Sequence, residues 1–360
     1  MKTIFPTVEV IGGGLIGTSI ALRVAKNGGS ARVIDVNEAH QRIANELLGA
    51  SLSPVGGEVD LVVVATPVSH LSDAIIDALQ RNAHAIVIDT GSIKTKVVLE
   101  VWTKCEHLSQ TNLLNRFVPT HPMAGREISG PDGARADLFA GRAWVVTPHE
   151  KNTPEILAKV ESFIHELGAS SYRLTPENHD LQVAMTSHLP QLLASALAGV
   201  LTEPLDLAGQ GLRDMTRLAH SDPSMWASIF EGNKGALTPL VNDVIKSINS
   251  LVFKEFNQND VISFMRVGNV GASKVPGKHG GIPRNYGALT VVIPDRPGQL
   301  AALFNHAAEV KINIEDLRIE HSPGQEQGLI TLFVQPVDLS TLNNYLSTHG
   351  WHCTISSKGN

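Results

Sequence analysis

The sequence predicts three successive domains: an α/β Rossmann-type N-terminal domain, an all-α central domain and a C-terminal α+β ferredoxin-like domain. Short apolar strands alternate with helical segments over residues 1–175, and helical patterns alone follow over 176–270. A linker at 271–287 precedes a βαββαβ pattern over 288–360. The length of 360 residues fits two or three domains of ordinary size.

Composition excludes several classes of protein. A net charge of −6 gives no basic surface for nucleic acid. Cys105 and Cys353 stand far apart in the sequence, which argues against both a disulfide framework and a zinc site, so no metal is predicted. No apolar stretch is long enough to cross a membrane. We therefore expect a globular cytoplasmic protein whose partners include neither nucleic acid nor a membrane.

The first strand pattern, Val8–Ile11, runs directly into a glycine-rich turn and then into an apolar helix pattern. This context fits the G-x-G-x-x-G fingerprint of dinucleotide-binding domains, in which glycines permit a tight turn and a close approach to the pyrophosphate. The N–H groups at the start of the helix then bind phosphate oxygens. The predicted cofactor-binding residues of the turn are Gly12, Gly14, Leu15, Ile16 and Gly17.

Asp35 ends the second strand pattern, about 20 residues after the glycines. A carboxylate at this position can accept both ribose hydroxyls and would repel a 2′-phosphate, so it favours NAD over NADP. Thr66 and Pro67 end the third strand pattern, and Ser92 follows the fourth. Since parallel strands end at one edge of a sheet, these residues are predicted to line the cofactor crevice. Ser92 is also a candidate N-cap for the following helix, and the two roles are compatible.

His121 stands in the run Thr120–Gly130, after the short apolar segment Phe117–Pro119. We predict that it lies at the carboxyl end of a strand, where open α/β sheets bind ligands. The chain has 15 histidines, and a single histidine near a strand end is more often structural. A catalytic role for His121 therefore depends on its neighbours.

The helical region offers further polar candidates. Pro190 would cost about 3 kcal/mol inside a helix, so it predicts a kink or a new helix start, where polar groups such as His188 and Gln191 can turn inward. Asp214 and Arg217 lie three apart on one predicted helix face, with Trp226 downstream. They form either an exposed ion pair or an anion clamp, because a guanidinium fork matches a carboxylate.

Taken together, these motifs resemble the prephenate/arogenate dehydrogenase family of tyrosine biosynthesis, and the C-terminal domain resembles an ACT module. The resemblance covers nearly the whole chain. Its specific parts are Gly91–Lys94, His121–Gly125 with Glu127 and Gly130, Ser187–Pro190, Arg213–Arg217, Ser221–Pro223 with Trp226, and, for the ACT module, Asp295–Gly298, Leu300 and Asn313–Ile314.

The resemblance implies an NAD-dependent dehydrogenase that oxidises and decarboxylates prephenate to 4-hydroxyphenylpyruvate. By similarity to the family, His121 is the base for the 4-hydroxyl and Ser92 shares that contact. A neutral imidazole suits this role near neutral pH. Arg217 would hold the ring carboxylate and Asp214 would orient Arg217. The substrate site would also include His188, Gln191 and Trp226.

One departure from the family pattern concerns the choice of substrate. Many members that use prephenate have a histidine where this chain has Gln191. A glutamine amide can hydrogen-bond a keto or an amino side chain. Arogenate dehydrogenase, which forms tyrosine directly, therefore stays open as an alternative, with prephenate favoured as the commoner family activity.

The resemblance also implies regulation and assembly. Tyrosine is the expected inhibitor, bound near Gly298 and Asn313, with a purely structural contact as the alternative. A homodimer through the helical domain is expected from the family. A β-hydroxyacid dehydrogenase is disfavoured because the stretches around His121 and Arg217 have no clear role in it. A non-catalytic sensor of NAD and an amino acid is disfavoured because a sensor needs no base.

Overall fold

The computed structural model describes residues 3–53, 58–125, 130–275, 286–321 and 327–356. The chain forms two compact units, one of residues 1–200 and 218–245 and the other of residues 201–217 and 246–360. The helical region contributes to both units. The predicted domain boundaries at 175, 270 and 287 therefore stay a prediction.

The first unit is built on a five-stranded parallel sheet with the strand order β2-β1-β3-β4-β5. Val8 and Val10 pack on one side of this sheet and Val62 and Val64 on the other, which is why its strands read as continuous apolar runs. The strands are β1 Thr7–Ile11, β2 Ser30–Ile34, β3 Leu61–Val64, β4 Ile86–Asp89 and β5 Phe117–Val118. The helices between them are α1 Leu15–Lys26, α2 Glu38–Leu48, α3 Val68–Arg81 and α4 Thr95–His107.

A second sheet carries the segment around His121. Its strands are β6 Thr120–Pro122, β7 Ala143–Val146 and β8 Ser170–Arg173, in that order, with α5 Pro154–Glu166 between the last two. His121 pairs with Val145 in antiparallel register. The prediction for His121 needs a correction, because the residue lies inside a short strand of a separate sheet. The chain leaves β5 at Val118 and turns into β6 before His121 is reached.

Helices follow β8, as the sequence predicts. They are α6 Pro176–Val183, α7 Leu189–Gly199, α8 Gln210–Thr216, α9 Pro223–Gly232, α10 Lys234–Val252 and α11 Gln258–Ala272. A π-helical turn at Ala184–His188 joins α6 to α7, and Pro190 lies in the first turn of α7. Pro190 therefore marks a new helix start, where its missing N–H is tolerated. Among the described helices, none is both long and apolar enough to cross a membrane.

The C-terminal part has the predicted βαββαβ order. Its elements are β9 Gly287–Pro294, α12 Gln299–Glu309, β10 Asp316–His321, β11 Gln327–Val334, α13 Leu339–Thr348 and β12 His352–Ser356. The strands form an antiparallel sheet in the order β10-β11-β9-β12. Leu303 and Leu346, from the two helices, pack with Leu289 and Leu332 of the sheet. α11 reaches Ala272, and residues 276–285 of the predicted linker lie outside the described residues.

Candidate active site

The glycine turn connects β1 to α1 by backbone contacts too close for any side chain. Gly12 has φ of +112°, and a Cβ atom there would lie 2.4 Å from the carbonyl oxygen of Ala65. A Cβ atom at Gly17 would lie 2.0 Å from the carbonyl oxygen of Gly12. At Gly14, by contrast, a Cβ atom would meet nothing within 4 Å. Two of the glycines thus form the turn, and the third leaves an open space beside it.

The start of α1 is suited to an anion. Gly14 is its N-cap residue, and no side chain caps the N–H groups of the first turn, which begins with Leu15 and Ile16. The carboxylate of Asp35 lies beside this turn, where it accepts hydrogen bonds from Gly13 N at 2.6 Å and Asn37 N at 2.7 Å. The pyrophosphate and ribose groups predicted from the sequence therefore have backbone donors and a carboxylate at one place.

Thr66 and Pro67 follow β3 at the same edge of the sheet. Pro67 is exposed and precedes α3. The hydroxyl oxygen of Thr66 is buried and has no hydrogen-bond partner among the described residues. A buried hydroxyl without a partner costs free energy, so a polar group of a bound molecule would stabilise it. These residues fit the nicotinamide dinucleotide that the glycine turn predicts.

The N-cap of α4 comes from a distant residue. Asp180 accepts hydrogen bonds from the backbone N–H groups of Lys94 and Thr95, each at 2.8 Å. Lys94, and not Ser92, occupies the N-cap position. The alternative role of Ser92 as a helix cap is therefore wrong, and its half-buried side chain remains available for a ligand.

A buried ion pair ties the loop after β4 to β6. Lys94 and Asp89 are fully buried and paired with each other. The same carboxylate accepts hydrogen bonds from Gly91 N at 2.9 Å and Thr120 N at 3.0 Å. A buried charge pair is stable only when its remaining lone pairs are satisfied, as they are here. The pair thereby fixes the position of Thr120, next to His121.

His121 is the first member of a chain of polar side chains. Its Nδ1 lies 2.8 Å from Nε2 of His179, and Nδ1 of His179 lies 2.8 Å from Oδ1 of Asp180. His179 is fully buried, whereas His121 is partly exposed. Burial, and then electrostatic interactions with His179, Lys94 and His188, hold the pKa of His121 well below its ordinary value of 6.5. His121 is therefore neutral at neutral pH and can accept a proton.

His188 is buried with an exposed fraction of 2%. Burial, only partly offset by the charge of Asp180, lowers its pKa to about 4. Its Nδ1 lies 3.1 Å from Nδ2 of Asn233, and its ring packs edge-on against Trp226 with centroids 5.9 Å apart. The indole N–H of Trp226 is buried and has no hydrogen-bond partner among the described residues. The neutral ring of His188 thus packs against Trp226 and holds it in place. The indole N–H of Trp226 is then a hydrogen-bond donor that a ligand could use.

Gln191 lies in α7 with an exposed fraction of 4%. Its Nε2 donates to the carbonyl oxygen of Leu218 at 2.8 Å, and its Oε1 accepts from the hydroxyl of Ser221 at 3.3 Å. The amide that was expected to bind the substrate side chain is therefore engaged with the segment Leu218–Ser221. Its direct effect on substrate choice stays a prediction.

Asp214 and Arg217 belong to the other unit and are exposed. Asp214 accepts a hydrogen bond from Nε2 of Gln210 at 2.8 Å. α8 ends at Thr216, and Arg217 opens a 3₁₀ turn that reaches His220. The two residues were expected on one helix face, but Arg217 lies where the α-helix gives way to the 3₁₀ turn. Glu127 of the His121 motif lies outside the described residues.

The residues predicted to bind a regulatory ligand are exposed in the C-terminal part. Gly298 has φ of +88° and precedes α12 as its N-cap. Asn313 donates a hydrogen bond from Nδ2 to Oε1 of Glu315 at 3.1 Å. Among the described residues, no cluster of three or more histidine, cysteine, aspartate or glutamate side chains is arranged to hold a metal ion.

Sequence reasoning gave no role to several residues that contact the predicted site. Asp89, His179 and Asp180 were not among the residues predicted to have a function. A signal existed in the adjacent pair of an imidazole and a carboxylate at a helix start, and in an aspartate next to a Gly-Ser turn. Their partners are distant in sequence, so pairing required the fold. The missed residues are Asp89, Lys94, His179, Asp180 and Asn233.

Two family models match successive parts of the chain. The prephenate dehydrogenase nucleotide-binding domain matches residues 20–173, and the prephenate dehydrogenase dimerization domain matches residues 175–267. Together they cover Asp35, Thr66, His121, His179 and Asp180, and the helices through most of α11, and they begin after the glycine turn. The predicted Rossmann-type domain and the helical region are thereby supported, whereas the ACT assignment has no matching model among these two.

Individual proteins agree with the family models. A cyclohexadienyl dehydrogenase of Zymomonas mobilis is 31% identical over 69% of this chain and 88% of its own, and a prephenate dehydrogenase of Bacillus subtilis is 28% identical over 94% of both chains. A crystal structure of prephenate dehydrogenase from A. aeolicus with hydroxyphenyl propionate and NAD+ is similar with a TM-score of 0.65 and 27% identity, over 74% of this chain and 97% of that one. The chain belongs to the prephenate dehydrogenase family of NAD-dependent oxidoreductases.

Proposed function

We propose that the chain catalyses the oxidative decarboxylation of prephenate to 4-hydroxyphenylpyruvate with NAD. The observation that carries this proposal is the neutral, partly exposed imidazole of His121, held beside the loop that contains Ser92. The buried pair of Asp89 and Lys94 links that loop to the strand of His121. A neutral base beside this loop is what oxidation of an alcohol requires.

The overall reaction neither releases nor consumes a proton. Bound NAD supplies the hydride acceptor. His121 accepts the proton of the substrate 4-hydroxyl as the hydride leaves C4, and the bond between the ring and its carboxylate then breaks to release carbon dioxide. The electron pair of that bond makes the ring aromatic, and the proton returns from His121 to the phenolate oxygen. Aromatisation provides driving force, so the protein mainly positions the ring.

We assign substrate-binding roles to residues of the helical region. Trp226 offers a buried N–H without a partner among the described residues, and His188 packs against its ring. Gln191 holds the segment that follows Arg217. The roles of Arg217 with the ring carboxylate and of Asp214 in orienting it rest on the sequence motif and on the match of a guanidinium fork to a carboxylate. Ser92 shares the 4-hydroxyl contact.

The experiment is NADH formation by the purified full-length protein with prephenate and with arogenate, in separate assays. A higher kcat/KM for prephenate is expected. A higher value for arogenate would replace the proposed substrate by its amino counterpart, which Gln191 leaves open. NAD binding without turnover of either compound would contradict an enzymatic role and favour a sensor.

We further propose that the C-terminal part is an ACT-like domain that binds tyrosine near Gly298 and Asn313 and inhibits the enzyme. Its βαββαβ order and the exposed, left-handed Gly298 before α12 support this. Inhibition of NADH formation by tyrosine, lost in Asn313→Ala, is the expected result. Unchanged activity at saturating tyrosine would leave this domain a structural role.

A homodimer is proposed through the helical region. The matched dimerization domain supports it, as do exposed apolar side chains on α11 at Ile262, Met265 and Val270. Sedimentation should give twice the mass of 38.6 kDa. A cytoplasmic location is proposed from the free thiols of Cys105 and Cys353, which suit a reducing compartment.

A further inference from the structure

We propose that His179 and Asp180 are positioning residues that hold His121 in the tautomer with a proton on Nδ1, so that Nε2 is the atom that accepts the substrate proton. The proposal rests on the proposed role of His121 as the base. It adds which nitrogen of His121 acts and which two side chains decide this.

The carboxylate of Asp180 is surrounded by hydrogen-bond donors. Two backbone N–H groups, of Lys94 and Thr95, and Nδ1 of His179 each lie 2.8 Å from its oxygens. The two backbone groups belong to the start of α4, where the helix dipole also favours a negative charge. Burial would raise the pKa of Asp180, but the hydrogen bonds from His179 and Thr95 outweigh burial and hold it below its ordinary value. Asp180 is therefore ionised and can only accept.

The ionised Asp180 determines which nitrogens of His179 and His121 carry protons. Because Asp180 only accepts, Nδ1 of His179 must carry a proton and donate. A neutral imidazole has one N–H, so Nε2 of His179 is an acceptor. The contact of 2.8 Å between that Nε2 and Nδ1 of His121 then requires the proton on His121. Nε2 of His121 is left with its lone pair, as a base needs.

The opposite arrangement is disfavoured. If Nδ1 of His121 accepted the hydrogen bond, His179 would carry protons on both nitrogens and a positive charge. His179 is fully buried, and burial, followed by the nearby charge of Lys94, lowers its pKa despite the hydrogen bond to Asp180. A charged His179 would therefore stand next to a buried lysine. The neutral arrangement avoids this charge.

The same chain assists the chemical step. When Nε2 of His121 takes the hydroxyl proton, the ring becomes positive and its Nδ1–H donates more strongly to His179. His179 is in turn bound to the negative charge of Asp180. A base oriented by a third group is the usual arrangement of an activated catalytic pair. Asn233 holds this segment, since its Nδ2 donates to the carbonyl oxygen of Asp180 at 2.8 Å.

The first test reads the tautomer directly and needs no substrate. Full-length protein labelled with ¹⁵N in histidine is studied by NMR at neutral pH, and the ring signals of His121 are assigned by their loss in His121→Asn. The expected spectrum shows a protonated Nδ1 and an unprotonated Nε2. A proton on Nε2 of His121, or rapid exchange between both tautomers, would overturn the proposal.

Because this test is independent of turnover, the two proposals can fail separately. The expected tautomer in a protein that oxidises neither prephenate nor arogenate would remove the proposed function and leave the assignment of the protons standing. Turnover of prephenate with Nε2 protonated would remove the positioning role alone.

The second test compares two replacements of His179. In His179→Gln, the side-chain oxygen can reach the position of Nε2 and accept from His121; in His179→Leu, no acceptor remains. We expect kcat to fall about 10²-fold or more in the leucine variant and to recover to within about tenfold of wild type in the glutamine variant. The KM for NAD should stay unchanged in both, and the tautomer of His121 should follow kcat. Equal losses in both variants, with an unchanged tautomer, would show that His179 acts only by packing. The control is His165→Gln, an exposed histidine bonded to Ser171.

Discussion

The glycine turn and the histidine chain lie in the same unit but depend on different physics. At the turn, Gly12 and Gly17 are required because neighbouring backbone atoms leave no room for a Cβ atom. Along the chain of His121, His179 and Asp180, the chemistry depends on charge and hydrogen bonding between residues as far apart in sequence as Lys94 and Asp180. Gly12 and Gly17 therefore tolerate no added volume, whereas the histidine residues tolerate no change of proton or charge.

The largest expected effect comes from the histidine chain. His121→Asn removes the base while keeping a small polar side chain, so kcat should fall about 10²- to 10⁴-fold. NAD affinity and the free energy of unfolding should stay close to wild type, because the glycine turn is not touched. Steady-state kinetics and NAD titration test this, with His165→Asn as the surface control. Wild-type turnover in the His121 variant would show that His121 is not the base.

The next effect comes from added volume in the turn. Gly17→Ala places a Cβ atom 2.0 Å from a backbone oxygen, which should destabilise the protein by about 3 kcal/mol or more. Gly14→Ala is the matched control, because its Cβ atom meets nothing within 4 Å. Gly14→Ala should fold like wild type and weaken NAD binding only. Urea unfolding of the two variants decides this; equal stabilities would contradict the steric account.

A smaller effect concerns the pH dependence of stability. The pKa of His188 is lowered from 6.5 to about 4 by burial, so between these values the unfolded chain binds a proton that the folded chain does not. The free energy of unfolding therefore decreases as the pH is lowered. His188 should account for a decrease of about 2 kcal/mol between pH 7 and pH 5. His188→Asn keeps an acceptor for Asn233 and should remove that part of the loss. Urea unfolding at both pH values measures it; an unchanged loss would show that His188 is not the group concerned.

The smallest expected effect concerns the choice of cofactor. Asp35→Asn keeps the size of the side chain but removes the charge that would repel a 2′-phosphate, so the preference for NAD over NADP should narrow by about tenfold. The ratio of kcat/KM for the two cofactors measures this. Asp243→Asn, at an exposed position of α10, is the control. A wild-type enzyme that uses both cofactors equally would contradict the role of Asp35.

Local patterns were enough to predict much of the fold. The runs around Val10 and Val63 read as buried parallel strands because both faces of the sheet are covered. The glycine turn could be predicted because its three glycines lie within six residues at a fixed spacing, between a strand pattern and a helix pattern. The βαββαβ order also followed from periodicity alone. These features depend on neighbours along the chain, which a sequence displays.

The chemistry of the site could be predicted only in part. His121 was identified through its motif, but its partner His179 could not be, since the fold brings together residues 58 apart. Ser92 was a reasonable helix cap by its position, yet the cap is Asp180, 86 residues beyond Lys94. Gln191 was expected to face a ligand, and its burial against Ser221 depends on the π-helical turn and the start of α7. Each of these outcomes is set by tertiary contacts.

The central claim is that His121 works as a neutral base whose pKa is lowered by burial and by His179, Lys94 and His188. The most direct measurement is the pH dependence of kcat/KM for prephenate, from initial rates at saturating NAD. The free enzyme loses activity when His121 is protonated, so activity should persist below pH 6.5 and fall only as the pH drops through the lowered pKa. A fall centred at or above pH 6.5, or the same profile in His121→Asn, would contradict the account.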